Sequence, residues 1–401
     1  MDISTQLEDQ YGANNYAPLP VVLSHGQGCE LWDTGGRRYL DFMSAYSAVS
    51  HGHAHPRLLA SLNQQAQKLA VISRAFHSDR LGPFLARACQ LTGMQRALPL
   101  NTGVEAVEAA LKMARRWAYR VKGVPADRAE IIACRGNFHG RTIAAIGLSD
   151  EAAYKRDFGP FPPGLKLIDY ADSSRLEAAI TENTAAFLVE PIQGEGGIVV
   201  PPPGYLAACA EICRRHNVLL IADEIQTGLG RTGRLLACDH ENIRPDLLLL
   251  GKALGGGLYP VSLVLSNNAV MDLLEPGSHG STFGGNPLAA AVAMSALEIL
   301  EDEGMIENSR RMGEYLRTGL GKLSHPGIRE VRGLGLMIGM QLDPGKLAGR
   351  AVSEALMSRG ILARETHTTV LRFAPPLIIR QDQVDELLHT LPEVLEQLCP
   401  S

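Results

Sequence analysis

The run PDLLLLGKALGGG (245–257) decides the fold. Leu247 to Leu250 are four consecutive leucines closed by Gly251. A short, uninterrupted apolar run bounded by turn residues is the pattern of a central strand covered on both faces in a parallel sheet. Lys252 follows at once, and Gly255, Gly256 and Gly257 come soon after. A residue at the end of such a strand stands at the edge where open α/β sheets bind ligands. On this run alone two readings are open. Lys252 is either a strand-end lysine with its ammonium in solvent, or a buried amine that sheds its proton and acts as a nucleophile.

The neighbouring sequence repeats the pattern. EIIAC (130–134), LKLIDY (165–170), AAFLVEPI (185–192), VLLIADEI (218–225) and VSLVLS (261–266) are further strand candidates. GYLAACAEICRRH (204–216) reads as an intervening helix with Leu206, Ala210 and Cys213 on one face. Strands alternating with helices predict a mainly parallel sheet with helices on both faces. Upstream, Leu98 to Leu100 form a short strand, Asn101 and Thr102 are cap residues, and Gly103 makes a tight turn. A helix then runs from about Val104, with Val107, Ala110, Leu111, Ala114 and Trp117 on its apolar face. Such a turn is either an ordinary strand–helix connection or an anion site built from free backbone N–H groups.

The strand ends carry unusual chemistry. EIIAC leads into RGNFHGRT, with Phe138, His139 and Arg141; AAFLV leads into EPIQGEGG, with Glu190, Gln193 and Glu195. VLLIA leads into Asp223, Glu224 and Gln226. Acids, an arginine, an aromatic and Lys252 thus converge on one edge. Two matches mislead. GLGRTG (228–233) fits GxGxxG, but no clear helix follows in RLLACDHENIRPD, so a dinucleotide site is not expected. GKA (251–253) is not a Walker A loop, because position 246 is Asp and no Ser or Thr follows Lys252.

Flanking this core, CELWDTGGRRYLDF reads as a hairpin turning at Thr34-Gly35-Gly36, with Val21 to Leu23 as the start of a strand before it. His51, His53 and His55 alternate, yet the Gly and Pro among them predict a loop rather than a metal clip. Residues 57–92 are helical in pattern, and a helix opens near Pro287. The last hundred residues change character. They read as a helix (309–323), strands (330–342), a helix (348–359), two more strands and an amphipathic helix (382–398) that Pro392 should kink or break. This divides the chain into an N-terminal segment (1–45), a large domain (46–290) and a smaller α/β domain (291–401) that the N-terminal segment joins.

Composition sets outer bounds. Of 401 residues, 45% are hydrophobic and 20% charged, which is ordinary for a globular chain with a large core. The formal net charge of −5 gives no reason to expect nucleic acid or an anionic membrane. No apolar run approaches the roughly 18 residues of a membrane span. The opening MDISTQLEDQYG has neither an apolar signal core nor an Arg-rich leader, so a cytoplasmic protein is expected. The seven cysteines are scattered without a CxxC pair, which predicts reduced thiols and no metal site.

A strand-end lysine, an aspartate on an adjoining strand, a phosphate-holding turn and an aromatic platform together fit one cofactor, pyridoxal phosphate. Lysine condenses with its aldehyde as a Schiff base, and a carboxylate keeps its ring nitrogen protonated. The motifs NTGVEA, NFHGRT, VEPIQGEGG, IADEIQTGLGRTG, LLGKALGGG, GSHGSTFGGNPLA and LRFAPPL are similar to those of the class III aminotransferases among fold-type I pyridoxal-phosphate enzymes. The resemblance runs from Tyr11 to the last helix, and YGANNYAPLPV with SAYSAV resembles the ornithine-using branch more than the acetylornithine-using one.

The resemblance implies an α/β fold with a mainly parallel seven-stranded sheet and a smaller C-terminal domain. It implies Lys252 as the Schiff-base lysine and proton shuttle, Asp223 at the ring nitrogen, Gln226 at the ring hydroxyl and Phe138 stacked on the ring. Thr102, Gly103 and Val104 would hold the phosphate, with Ser281 and Thr282 reaching it from a second copy in a homodimer. His139 stands where some members have tryptophan. Arg141 resembles the clamp for the substrate's remote carboxylate, Tyr16 the residue at its α-amino end, and Tyr46 the tyrosine that favours ornithine. Arg372 would bind 2-oxoglutarate once released from Glu195, and otherwise the two form either this switchable pair or a plain structural salt bridge. The implied reaction moves the δ-amine of L-ornithine to 2-oxoglutarate, giving glutamate 5-semialdehyde and glutamate. The alternatives are acetylornithine or 4-aminobutyrate as the amine donor, an aminomutase, or a non-catalytic binding protein.

Overall fold

The computed structural model describes residues 3–400. At its centre lies a seven-stranded sheet. From edge to edge its strands are Arg96–Leu100, Ser262–Ser266, Leu247–Leu250, Leu219–Asp223, Thr184–Val189, Glu130–Cys134 and Leu165–Ile168. Ser262–Ser266 runs antiparallel to both of its neighbours, and every other pairing is parallel. Each of the seven apolar runs therefore becomes a strand of one sheet. LKLIDY, AAFLVEPI and VLLIADEI end earlier than the sequence pattern suggests, at Ile168, Val189 and Asp223, because the residues that follow turn out of the sheet.

Side-chain alternation builds a core on each face. Ile131, Ala133, Ala186, Leu188, Ile221, Leu247 and Leu249 pack against Ala106, Val107, Ala110, Leu111 and Ala114 of the helix Gly103–Trp117. Ile132, Phe187, Val189, Leu220, Leu248 and Leu250 face the opposite core, with Leu206, Cys209 and Cys213 of the helix Tyr205–Arg215. Adjacent residues of one strand thus enter different cores, as a period of two requires. All four leucines of 247–250 are buried, because both faces of this strand are covered.

The N-terminal strands Leu23–Gln27, Glu30–Asp33 and Arg38–Asp41 form the expected hairpin region, and Arg38–Asp41 pairs in parallel with Ile361–Leu362. A third sheet joins Ile328–Leu334, Met337–Leu342, Val370–Phe373 and Arg364–Thr366. Three expectations change. The 57–92 region is two helices, Pro56–Ala66 and Leu81–Thr92, with 67–80 irregular between them. The helix placed at 309–323 begins earlier and spans Met305–Gly321. The last helix, Gln381–Leu398, runs unbroken through Pro392. Val384, Leu387 and Leu391 before the proline and Val394 and Leu395 after it are all buried, so packing on both sides carries the helix through it.

The three histidines lie in a loop and take separate partners: His51 the Ala296 carbonyl, His53 the Asp41 carboxylate and His55 Glu303. No cluster able to hold a metal occurs among the described residues. Nor is any described helix long and apolar enough to cross a membrane.

Candidate active site

The C-terminal ends of the parallel strands open on a cavity of about 310 Å³ lined by Gly103, Val104, Phe138, Arg141, Glu195 and Lys252, among others. Three of these strands deliver a polar residue there. Asp223 closes its strand, Glu190 follows Val189, and Lys252 follows Leu250 by two residues. Lys252 sits at φ +43, a left-handed conformation that non-glycine residues adopt only when their surroundings hold them. Burial lowers the pKa of its ammonium; Glu195 opposes the shift and Arg372 adds to it. Desolvation of this kind leaves a larger neutral, nucleophilic fraction of amine than a surface lysine has.

At one end of the cavity the helix Gly103–Trp117 presents its N-terminus. Thr102 and Glu105 form a reciprocal capping box: the Thr102 hydroxyl accepts from Glu105 N–H, and the Glu105 carboxylate accepts from Thr102 N–H at 2.7 Å. Ala106 N–H donates to the Thr102 carbonyl. The capping leaves the N–H groups of Gly103 and Val104 to face a ligand. Gly103 is the first helical residue rather than a tight turn. A Cβ there would lie 3.0 Å from Ile225, so glycine is what lets this helix approach so closely. The Thr102 hydroxyl is spent on the cap and does not line the cavity.

His139 is fully buried, with Nδ1 2.7 Å from Asp223 Oδ2. Burial pushes its imidazolium pKa down, but the hydrogen bond and charge of Asp223 outweigh this and leave it raised. Its Nε2 is buried without a hydrogen-bond partner. Glu190, also buried, accepts from Phe138 N–H at 3.0 Å and Gly194 N–H at 3.3 Å. Burial raises its pKa to about 7, with His139 lowering it and Asp223 raising it. The sequence reading treated His139 only as a wall beside the ring. Its tie to Asp223 spans 84 positions, and no local motif announces it.

Two arginines serve the cavity differently. Arg372 is 2% exposed, is ion-paired with Glu195, and lies 5.0 Å over the Tyr46 ring. Its Nε has no partner. Glu195 is held below its usual range: burial pushes it up, and Arg372 and Lys252 together outweigh that. Arg141 has neither a carboxylate nor a hydrogen-bond acceptor among the described residues, and rests on aromatic faces instead. Gln226 donates to the Tyr46 carbonyl at 3.3 Å. Tyr46 itself belongs to a left-handed turn, Ser44 to Ser47, with φ between 41° and 72°.

Not every expected residue enters the cavity. Tyr16 is 70% exposed and outside the lining; its neighbours Ala17 and Pro18 are held through their carbonyls by Arg350 and Arg364. Ser281 and Thr282 also stand outside it. Ser281 Oγ accepts from Asn101 Nδ2 at 3.1 Å and from Gly284 N–H at 2.9 Å, whereas Thr282 is exposed.

Residues 11–395 match the model of the family Aminotransferase class-III. The chain belongs to the class III aminotransferases. Ornithine aminotransferase of Bacillus subtilis (strain 168) is 54% identical to it over 395 residues, covering 98% of each chain. A crystal structure of the ornithine aminotransferase from Toxoplasma gondii ME49 superposes with a TM-score of 0.96 at 47% identity, covering 98% of this chain and 94% of that one. An acetylornithine aminotransferase structure from Elizabethkingia anophelis gives a TM-score of 0.89 at 44% identity over 98% of both chains. The fold is accordingly fold-type I. Class III aminotransferases use pyridoxal phosphate, and this aminotransferase has the groups that suit it: a helix N-terminus for an anion, a buried carboxylate at Asp223, a desolvated amine at Lys252 and the Phe138 ring. His139 Nε2, in the cavity wall, is buried without a partner among the described residues.

Proposed function

We propose that this chain transfers the δ-amino group of L-ornithine to 2-oxoglutarate, releasing glutamate 5-semialdehyde, which cyclises to pyrroline-5-carboxylate, and glutamate. One observation carries the reading: the cavity is lined by Arg141, which has no carboxylate partner among the described residues, and by Glu195, which is ion-paired with a second arginine, the buried Arg372. An ω-amino substrate must place its carboxylate away from the reacting amine, whereas 2-oxoglutarate carries one carboxylate beside its keto carbon. A free clamp suits the first need, and a releasable one suits the second. The two ornithine aminotransferases above support the same substrate, and both are more similar to this chain than the acetylornithine aminotransferase is.

Bound pyridoxal phosphate supplies an aldehyde that condenses with amines and a ring that takes up the electrons of the carbon losing its proton. This chain does the rest. Gly103 and Val104 N–H groups would hold the phosphate, and Asp223 would keep the ring nitrogen protonated. His139 holds Asp223 in place. Phe138 and Gln226, both in the cavity lining, would help hold the cofactor. Lys252 Nζ would accept the proton lost by the substrate carbon and return it. Arg141 holds the far end of ornithine, and Tyr46 braces Arg372; Tyr16, outside the cavity lining, is given no part in this. Ser281 and Thr282 of a second copy complete the phosphate cradle in a homodimer. The exposed Thr282 and Phe283 support this. The three-part division at 45 and 290 belongs to the same proposal, supported by the pairing of Arg38–Asp41 with Ile361–Leu362. So does a cytoplasmic setting between arginine and proline metabolism.

The test is the cofactor spectrum of the holoenzyme given ornithine, N-acetylornithine or 4-aminobutyrate without an oxo-acid, followed by 2-oxoglutarate. Ornithine should convert the cofactor fastest, and 2-oxoglutarate should restore it. Faster conversion by N-acetylornithine would overturn the choice of substrate, and amine transfer without any oxo-acid would point to an aminomutase.

A further inference from the structure

We propose that Tyr154 is a positioning residue for the substrate's carboxylate, acting through Arg141. The proposal rests on the reading of Arg141 as the clamp. The guanidinium carbon of Arg141 lies 3.4 Å from the centroid of the Tyr154 ring and 5.4 Å from that of Phe138. Phe138 meets Tyr154 edge to face at 6.2 Å and 87°. The arginine is exposed. Without a partner such a side chain would sample many rotamers, and binding a carboxylate would have to order it.

A carboxylate partner would order the arginine too, but would also consume the charge the substrate needs. An aromatic face does otherwise. Stacking engages the flat π surface of the guanidinium and leaves its in-plane N–H donors free for a bidentate contact. Tyr154 is itself fixed. It lies in the short helix Ala152–Lys155, whose first turn is capped by Glu151. The next residue, Lys155, donates to the Gly147 carbonyl at 3.3 Å and lies 5.0 Å over the Phe161 ring. The Tyr154 hydroxyl makes no hydrogen bond among the described residues, so the ring is what matters. Through Phe138, which lines the cavity, the platform is tied to the wall beside the reacting centre. The spacing between a substrate's carboxylate and its amine is set by its carbon chain, so the clamp must be held in register with that wall.

The experiment compares holoenzymes of wild type, Tyr154→Phe and Tyr154→Leu on three amines: ornithine, 5-aminopentanoate and 1,4-diaminobutane. The first two carry a carboxylate and the third does not. For Tyr154→Leu, KM for the two carboxylated amines should rise roughly ten-fold with kcat little changed, as loss of a cation–π platform predicts. Its kcat/KM for 1,4-diaminobutane should stay at the wild-type value, and Tyr154→Phe should match wild type on all three. Equal losses on all three amines would show a merely structural role and overturn the proposal. Loss in Tyr154→Phe as large as in Tyr154→Leu would overturn it as well, by placing the effect in the hydroxyl. Wild-type turnover of ornithine reports separately on the underlying reading, and 5-aminopentanoate tests the clamp whichever ω-amino acid is the natural substrate.

Discussion

Removing Glu195 should turn the specificity of this aminotransferase toward ordinary α-amino acids. Arg372 is 2% exposed, and Glu195 is its only carboxylate among the described residues. An amino acid that docks its α-carboxylate on Arg372 must first displace Glu195. Leaving one partner of a buried pair uncompensated costs about 3–5 kcal/mol. The Glu195 side chain is 24% exposed, which reduces that penalty. A working value is about 2 kcal/mol, or roughly thirty-fold in an equilibrium or rate ratio. In Glu195→Ala this barrier to α-carboxylates is gone, so the rate with glutamate relative to ornithine should rise by about that factor. Glu195→Gln keeps a hydrogen bond and loses the charge, so its ratio should fall between wild type and Glu195→Ala. Single-turnover kinetics of the cofactor absorbance, run separately with each amino acid, measure the ratio. A ratio within about two-fold of wild type in both variants, far below the factor the pair should impose, would refute the switch and make the pair structural.

Three other outcomes follow from the same coordinates. Glu190 is raised from 4.5 to about 7, so between these values the folded cofactor-free protein binds more protons than the unfolded chain. The stability this group contributes is complete below pH 4.5 and lost as pH rises through 7, by about 3 kcal/mol at most. Urea unfolding of Glu190→Gln should lack this slope, and an unchanged slope would place the titration elsewhere. Ala45, exposed at φ +47, should gain roughly 0.5–1 kcal/mol on replacement by glycine, read as a higher Tm. A lower Tm would mean the turn is unstrained. A Cβ on Gly194 would stand 1.5 Å from Gln226 Oε1, so Gly194→Ala should swing that amide aside. Cofactor affinity measured by titration should fall while Tm stays near wild type, and a large drop in Tm would show that backbone, not Gln226, gives way.

The central sheet was legible because its signals are local. Four leucines with a glycine stop, a period of two and a capping sequence are each contained within a dozen residues. The position of Lys252 at the ligand edge follows from that pattern and general sheet topology. What stayed hidden depends on contacts between distant residues. The His139–Asp223 contact and the Tyr154 platform under Arg141 exist only once separate loops meet. The sequence suggested a break at Pro392, because a helix proline loses a hydrogen bond; buried side chains on both sides of it prevailed. Thr102 was chosen as a phosphate contact from its position, but its hydroxyl is taken by Glu105. Tyr16 was chosen by resemblance, and its ring is not in the cavity lining.

The departures from local preference gather around one place, which says what holds the site in shape. Ser44, Ala45, Tyr46 and Ser47 adopt φ values of 41°, 47°, 60° and 72° without a glycine among them. A left-handed turn of L-residues costs about 1–2 kcal/mol per residue, so something must hold it. Asp41 accepts from Met43 and Ser44 N–H at 2.8 Å each, and the Ser44 hydroxyl donates to the Ala374 carbonyl at 2.7 Å. Arg231, fully buried, donates to the Leu336 and Pro375 carbonyls and to the hydroxyls of Ser44 and Ser50. Burial lowers its pKa to about 9, so it remains charged at neutral pH. One guanidinium therefore ties the strained turn to residues 336 and 375 of the C-terminal part. A glycine-rich turn would be cheaper to form, but would leave Tyr46 free to wander from Arg372, over which its ring now lies at 5.0 Å. The strain at Tyr46 and the buried charge at Arg231 are thus coupled costs of holding one aromatic ring against the arginine that pairs with Glu195.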